Sequence, residues 1–117
     1  MPRALLAEDE MLVREVAVED LRDAGFTVVA VCDGEAALAV ISSDPDFDLL
    51  YTDIRMPGAI DGWELGRRAY GINPQIRIIY ATGYSETIQP LADHERLVAK
   101  PCGYSDIVAR LKDLNFG

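Results

Sequence analysis

The sequence predicts one α/β domain, spanning residues 1–117, in which a parallel five-stranded sheet is covered by helices on both faces. Short apolar segments alternate with longer segments whose apolar residues recur at helical spacing, as expected for repeated βαβ units. Several of the short segments are apolar throughout, which is typical of strands buried on both faces. Because crossovers between parallel strands are right-handed, the pattern indicates a doubly wound sheet.

Five elements are predicted in the first half of the chain. Residues 4–7 form a continuous apolar strand, and residues 11–24 follow as an amphipathic helix that stops before a glycine. Residues 27–31 are apolar and mostly β-branched, which favours a second strand. A short helix over residues 35–41 ends at a Ser-Ser-Asp-Pro turn, and residues 48–52 form the third strand.

The second half continues the alternation. A helix opens at Asp61-Gly62, and the fourth strand spans residues 75–81. Residues 97–99 form a short fifth strand, and residues 105–114 form the last helix. The strand order expected for such a chain is 2-1-3-4-5, the flavodoxin-like arrangement, which places strands 1 and 3 side by side.

The segment from residue 83 to residue 99 leaves little room for a regular helix. Pro90 lies inside it, and a proline in a helix interior costs about 3 kcal/mol or more. Helix 4 is therefore expected to be short or irregular, and it brings the predicted number of helices to about five.

Composition excludes several classes of function. The chain carries 11 basic and 20 acidic residues, for a net charge of −9, so binding to nucleic acid is disfavoured because it depends on Lys and Arg. No apolar run approaches the roughly 20 residues of a membrane span, and no signal peptide is visible. A cytoplasmic protein without a membrane or nucleic-acid partner is the expectation.

Residues able to handle phosphate or a hard cation follow four of the predicted strands. Glu8 and Asp9 follow the first strand, Asp53 the third, Thr82 the fourth and Lys100 the fifth. The carboxyl ends of parallel strands meet at one edge of a sheet. Three carboxylates there favour Mg²⁺, while a hydroxyl and an ammonium group suit phosphoryl oxygens. The pattern predicts magnesium-dependent phosphoryl transfer with Asp53 as nucleophile.

Each of these residues also has an ordinary structural interpretation. Asp9 could cap the following helix, an acidic pair is common at a solvated strand end, and Thr82-Gly83 could be only a turn. The joint placement at the ends of different strands is what favours a functional site.

The motifs at these positions resemble those of response-regulator receiver domains of two-component signalling, over essentially the whole chain. They are the acidic pair 8–9, the acceptor segment 52–58, the helix opening 61–62, the Ala-Thr-Gly at 81–83 and the Lys-Pro at 100–101. The family resemblance implies that Asp53 is the phosphoacceptor, held by Mg²⁺ and by neighbouring groups.

The resemblance also assigns individual roles. Asp9 and Asp53 would bind Mg²⁺ directly, together with the backbone carbonyl of Arg55, while Glu8 would act through water. Thr82 and Lys100 would hold the phosphoryl group.

Three further positions are assigned by the same resemblance. The bond before Pro101 would be cis, and Tyr84 would control access to the phosphoryl group. Leu97 replaces the aromatic residue that the family usually places three positions before the lysine. Output by an aromatic switch is therefore not expected, and the segment from Gly83 to Arg96 is predicted to carry the response instead.

The expected function is a stand-alone receiver, and not a turnover enzyme. It would take phosphate from a histidine kinase or a phosphotransfer protein and change its affinity for a downstream protein. The alternatives are a flavodoxin-like small-molecule binder and a phosphatase-like hydrolase. The acidic residues after strand 1 disfavour a flavin phosphate there, and Arg55 stands where a phosphatase of the aspartyl-phosphate kind would place a second acid.

Overall fold

A computed structural model of the chain describes residues 2–83 and 89–116. The strands are β1 (Arg3–Ala7), β2 (Thr27–Val31), β3 (Leu49–Asp53), β4 (Arg77–Thr82) and β5 (Glu95–Ala99), and the helices are α1 (Met11–Asp23), α2 (Gly34–Ser43), α3 (Gly62–Ile72) and α4 (Tyr104–Asp113). The strands form one parallel sheet in the order β2-β1-β3-β4-β5. The predicted fold class and strand order are confirmed.

The sheet separates two apolar layers because successive side chains of a strand point to opposite faces. Helices α2 and α3 cover one face, and α1 and α4 cover the other. Fully burying one Leu or Ile side chain contributes about 1.5 to 3 kcal/mol. The α2–α3 layer includes Leu5, Ile41, Leu50, Leu65 and Ile78, whereas the α1–α4 layer includes Leu6, Leu21, Leu49, Ile79 and Ile107.

Aspartate side chains fix the starts of two helices. The carboxylate of Asp33 accepts a hydrogen bond from the Ala36 amide at 2.7 Å, and that of Asp61 accepts one from the Glu64 amide at 2.9 Å. Each satisfies an amide that has no partner within the helix. Helix α1 stops before Gly25, whose φ of 101° suits glycine.

Strand β5 is longer than the sequence predicts. It begins at Glu95, which pairs with Ile78 of β4, two residues before the predicted start. Glu95 and Arg96 are polar, so the apolar pattern of the sequence does not extend over this part of the strand. Polar residues occur there because β5 lies at the edge of the sheet, where only one side is paired.

The predicted helix 4 falls partly outside the described residues. Within residues 89–94 no helix is assigned, and the described part of the chain contains four helices. No helix among residues 2–83 and 89–116 has the length and hydropathy to cross a membrane.

The start of α3 packs directly on the end of β3. The Gly62 amide donates to the carbonyl of Ile54 at 2.7 Å. A Cβ atom at Gly62 would lie 2.7 Å from the Ile54 Cα and closer still to the carbonyl oxygen of Asp53. Glycine at this position therefore permits the close approach that holds the end of β3 in place.

We expect Gly62→Ala to lower the free energy of unfolding by about 1 to 3 kcal/mol, because backbone atoms must shift to admit the methyl group. Gly71→Ala is the matched control in the same helix, since a Cβ there would meet nothing within 4 Å. It should raise stability by up to about 1 kcal/mol through helix propensity. Urea unfolding measures both, and equal effects of the two substitutions would contradict the packing argument.

Candidate functional site

Four strands deliver the predicted site residues to one edge of the sheet. Ala7 of β1, directly before Glu8, is in register with Thr52 of β3. On the other side of β3, Asp53 is in register with Ala81, directly before Thr82. The parallel pairing therefore brings together residues that are far apart in sequence.

Lys100 lies between two carboxylates of this edge. Its Nζ is 3.1 Å from Glu8 Oε1 and 3.2 Å from Asp53 Oδ2. Its backbone amide donates to the carbonyl of Thr82 at 2.8 Å, which fixes where the side chain starts. Burial lowers the pKa of Lys100, but the charge of Asp53 and the hydrogen bond to Glu8 outweigh it, so the pKa is raised overall.

Glu8 is a buried carboxyl group with only 2% of its surface exposed. Its Oε2 accepts a hydrogen bond from the Glu10 amide at 3.1 Å. The Arg14 guanidinium donates to its backbone carbonyl at 2.9 Å. Desolvation raises the pKa of Glu8 despite the Glu10 amide and Lys100, and the charge of Asp53 raises it further.

The three carboxylates predicted from the sequence converge. Oxygens of Glu8, Asp9 and Asp53 lie within 4.8 Å of one another. Glu8 and Asp53 are buried, whereas Asp9 is exposed. Oxygen donors of this kind fit Mg²⁺, which binds through a few carboxylates and keeps several waters, so an exposed ligand beside buried ones suits it. Asp9 does not act as a helix cap, since the N-cap of α1 is Glu10.

An open cleft of about 500 Å³ adjoins the carboxylates. Asp9, Asp53, Arg55, Gly83 and Lys100 are among its lining residues. Asp53 is 6% exposed, and the side chain of Arg55 is exposed. Asp53 therefore lies at the base of a cleft wide enough for a group to approach from solvent.

Thr82 and Pro101 complete the described part of the site. Thr82 is 5% exposed, and its Oγ1 donates to the carbonyl of Gly83 at 2.8 Å. The peptide bond between Lys100 and Pro101 is cis, as the family resemblance implies. Tyr84, the predicted access residue, lies outside the described residues. Leu97 is partly buried and packs on the α2–α3 layer.

A comparison with protein families settles what kind of domain carries this site. Residues 4–112 match the model described as "Response regulator receiver domain". The chain belongs to the response regulator receiver family. Receivers are signalling domains of two-component systems, and the family membership predicted from the motifs is confirmed.

One similar protein is the response regulator receiver protein CpdR of Brucella abortus (strain 2308). It is 36% identical to this receiver over 97% of each chain. The receiver spans about half the length of several other curated relatives that it matches. Receivers of this family therefore occur at about this length and within longer proteins.

Solved structures of similar receivers agree with the fold. Response regulator TrrA of Thermotoga maritima, solved in complex with Mg²⁺ and BeF, is 30% identical, with a TM-score of 0.84 and coverage of 97% of this chain and 99% of that chain. A chain in the complex of histidine kinase ThkA with TrrA is 29% identical, with a TM-score of 0.80 and coverage of 97% and 98%.

Sequence reasoning missed one feature next to the site. Tyr80 lies two residues before Thr82, and its hydroxyl donates to Glu95 Oε2 at 2.6 Å. Its ring packs against Trp63, with centroids 4.4 Å apart. A tyrosine among the aliphatic residues of a buried strand was the available signal, because a buried tyrosine hydroxyl usually has a hydrogen-bond partner.

The raised pKa of Glu8 predicts a pH dependence of stability. In the unfolded receiver Glu8 ionises near its ordinary pKa of 4.5, whereas in the folded receiver it keeps its proton to higher pH. The folded state then binds more protons than the unfolded state, so the Glu8 contribution to stability falls as pH rises from 4.5 through the raised pKa.

Glu8→Gln removes this loss. We expect the free energy of unfolding of Glu8→Gln minus that of the wild type to become more positive as pH rises through this window. Urea unfolding at a series of pH values from about 4 to 8, without divalent metal, tests it. Glu10→Gln, which removes an exposed carboxylate nearby, controls for net charge. Parallel curves for wild type and Glu8→Gln would contradict the assignment.

Proposed function

We propose that this receiver accepts a phosphoryl group on Asp53 from a phosphohistidine donor, in a magnesium-dependent reaction, and signals by altered protein binding. The observation that carries the proposal is the position of the Asp53 carboxylate, which lies within the three-carboxylate cluster and 3.2 Å from Lys100 Nζ. A nucleophile, a site for a hard cation and a fixed ammonium group are the parts that phosphoryl transfer requires.

The transfer is an in-line exchange of one bond for another. The P–N bond of the donor's phosphohistidine breaks, and its electron pair stays on the imidazole nitrogen. A bond forms between phosphorus and one carboxylate oxygen of Asp53. Later attack of water on the aspartyl phosphate restores the carboxylate and releases inorganic phosphate. Both steps act on the receiver's own Asp53 side chain, so we do not class the receiver as a turnover enzyme on an external substrate.

The residues around Asp53 have separable roles in this proposal. Lys100 neutralises charge on the phosphoryl oxygens, since its Nζ already lies beside an Asp53 oxygen. Thr82 donates a hydrogen bond to another phosphoryl oxygen, which requires its Oγ1 to leave the carbonyl of Gly83. Asp53 and Thr82 are themselves nearly buried, which limits competition from water for these interactions.

Glu8, Asp9 and Asp53 would hold the magnesium ion, with Glu8 acting through water and the Arg55 carbonyl as a further ligand. Mg²⁺ supplies positive charge that relieves the repulsion among the carboxylates and stabilises the charge that develops on the phosphoryl oxygens. Both oxygens of the Glu8 carboxylate accept hydrogen bonds, one from Lys100 and the other from the Glu10 amide, which supports an indirect role.

The partners follow from the chemistry. The donor is a histidine kinase or a phosphotransfer protein, and ThkA bound to TrrA is an example of a kinase in complex with a similar regulator. The output is binding to a downstream protein. The net charge of −9 disfavours nucleic acid as the target. A cytoplasmic location remains a prediction of the sequence.

Asp53→Asn should abolish phosphorylation and keep the fold, because an amide preserves the shape of the side chain but is a far poorer nucleophile. Intact-mass measurement after incubation with acetyl phosphate and Mg²⁺ should detect one added phosphoryl group in the wild type and none in Asp53→Asn. Asp93→Asn, which changes an exposed aspartate, is the control and should be labelled. A phosphoryl group on Asp53→Asn, mapped to another residue, would refute the assignment of the acceptor.

Magnesium without phosphate should stabilise the folded receiver. At a free concentration of about ten times the dissociation constant, linkage gives about 1.4 kcal/mol, or about 3 to 8 °C in melting temperature. Asp9→Ala should lose most of this shift, whereas Asp46→Ala, at an exposed position before β3, should keep it. The metal site would be misassigned if Asp9→Ala and the wild type were stabilised equally.

A further inference from the structure

Tyr80 connects the strand that carries Thr82 to the turn before β5. It is 1% exposed, and its hydroxyl donates to Glu95 Oε2 at 2.6 Å. Burial and the Glu95 acceptor raise the pKa of Tyr80, so the phenol keeps its proton and acts as the donor. Hydrogen bonds to a charged acceptor are among the stronger ones in proteins.

The second oxygen of the Glu95 carboxylate holds the turn. Glu95 Oε1 accepts a hydrogen bond from the Ala92 amide at 2.9 Å, and the Glu95 amide donates to the Ala92 carbonyl at 3.0 Å. The neighbouring carbonyl of His94 accepts from the Ile78 amide at 2.8 Å. One carboxylate therefore joins the turn at residues 92–95 to the Tyr80 hydroxyl of β4.

This arrangement changes the expectation that the whole segment from Gly83 to Arg96 responds as one unit. Its last part is already attached to β4 through Tyr80. Thr82 lies two residues after Tyr80 on β4. Because successive side chains of a strand alternate between its faces, the Thr82 side chain points to the same face of the sheet as that of Tyr80. Tyr80 is also in register with Leu97, the position where an aromatic residue is missing.

We propose that the Tyr80–Glu95 hydrogen bond transmits a change at Thr82 to the turn at residues 92–95, which makes Tyr80 a positioning residue for output. This inference rests on the proposed phosphorylation of Asp53. When Thr82 engages the phosphoryl group, the end of β4 shifts and carries the Tyr80 hydroxyl with it. Hydrogen bonds weaken steeply as they bend, so a small shift changes how Glu95 holds the Ala92 amide.

The chain contains its own reporter of this movement. Trp63 is its only tryptophan, and its ring packs against Tyr80. The hydroxyl of Tyr80 also lies against Gly66 of α3, so close that a Cβ atom there would clash with it. Movement of Tyr80 therefore changes the surroundings of Trp63, and tryptophan fluorescence follows it.

The test uses Tyr80→Phe in the full chain, which removes the hydroxyl and keeps the ring against Trp63. Tyr104→Phe is the matched control, because the Tyr104 hydroxyl donates to the Asp23 carbonyl on the opposite face of the sheet. Amide hydrogen exchange at Ala92 and Trp63 fluorescence are measured without and with Mg²⁺ and beryllium fluoride as the phosphate mimic. Labelling by acetyl phosphate is measured in parallel.

Without the mimic, the Ala92 amide should exchange about tenfold faster in Tyr80→Phe than in the wild type, because its acceptor loses support. The mimic should change Ala92 exchange and Trp63 fluorescence in the wild type and in Tyr104→Phe, and should leave Ala92 exchange unchanged in Tyr80→Phe. Labelling at Asp53 should be the same in all three proteins. If Tyr80 only stabilised the fold, Tyr80→Phe would lower labelling at Asp53 and the response at Ala92 together.

Three results overturn the proposal. If Tyr80→Phe responds to the mimic as the wild type does, the hydrogen bond carries no signal. If the wild type is labelled at Asp53 but shows no change at Ala92, the link is wrong and the proposed function stands. If the wild type is not labelled, the proposed function fails and the link with it.

Glu95→Gln tests the same link should Tyr80→Phe fail to fold. The glutamine side chain has one carbonyl oxygen in place of the two carboxylate oxygens of Glu95, which accept hydrogen bonds from the Tyr80 hydroxyl and the Ala92 amide. Ala92 exchange should again be faster and unresponsive to the mimic, while labelling is retained. A response equal to that of the wild type would contradict the proposal.

Discussion

Repulsion among three carboxylates at one edge of the sheet is the constraint on which the site depends. Glu8 and Asp53 are both nearly excluded from water, so neither can rely on solvent to screen its charge. Lys100 offsets part of this cost because its single ammonium group contacts both. The sheet must therefore hold the ends of β1 and β3 together by strand pairing and hydrophobic packing, while the carboxylates at those ends oppose their approach. Such a site is ready to gain stability from any cation that fits it.

Much of this arrangement could be predicted from the sequence because it depends on strand ends. Alternating apolar and amphipathic segments predict a parallel sheet, and the strand order common among such sheets places Asp53 between Glu8-Asp9 and Thr82 without any knowledge of side-chain conformation. The pairing of Lys100 with Glu8 could not be predicted in the same way. It depends on how far a flexible lysine side chain reaches, and no spacing in the sequence encodes that distance.

The start of β5 and the Tyr80–Glu95 hydrogen bond were missed for a related reason. Glu95 and Arg96 are polar residues in an edge strand, so the hydropathy pattern resembles that of a loop. Their pairing becomes visible only when β4 is already in place beside them. Hydropathy patterns identify residues that face the core, whereas the positions of Glu95 and Arg96 are determined by their pairing with β4. A polar residue beside a buried tyrosine is a signal that could be sought in other chains.

The hydrogen bond from Thr82 Oγ1 to the Gly83 carbonyl has a consequence for how finely the receiver is balanced. Under the proposed function, engaging a phosphoryl oxygen exchanges a hydrogen bond to a neutral carbonyl for one to a charged acceptor, so the net gain is only the difference between the two energies. Before modification, the hydrogen bond to the Gly83 carbonyl, worth about 0.5 to 1.5 kcal/mol net, favours the present rotamer and leaves a minor population of the alternative. In the proposed function, the Thr82 hydroxyl would therefore set both the signal given before modification and the size of the change on phosphorylation, and a larger value of the first would limit the second.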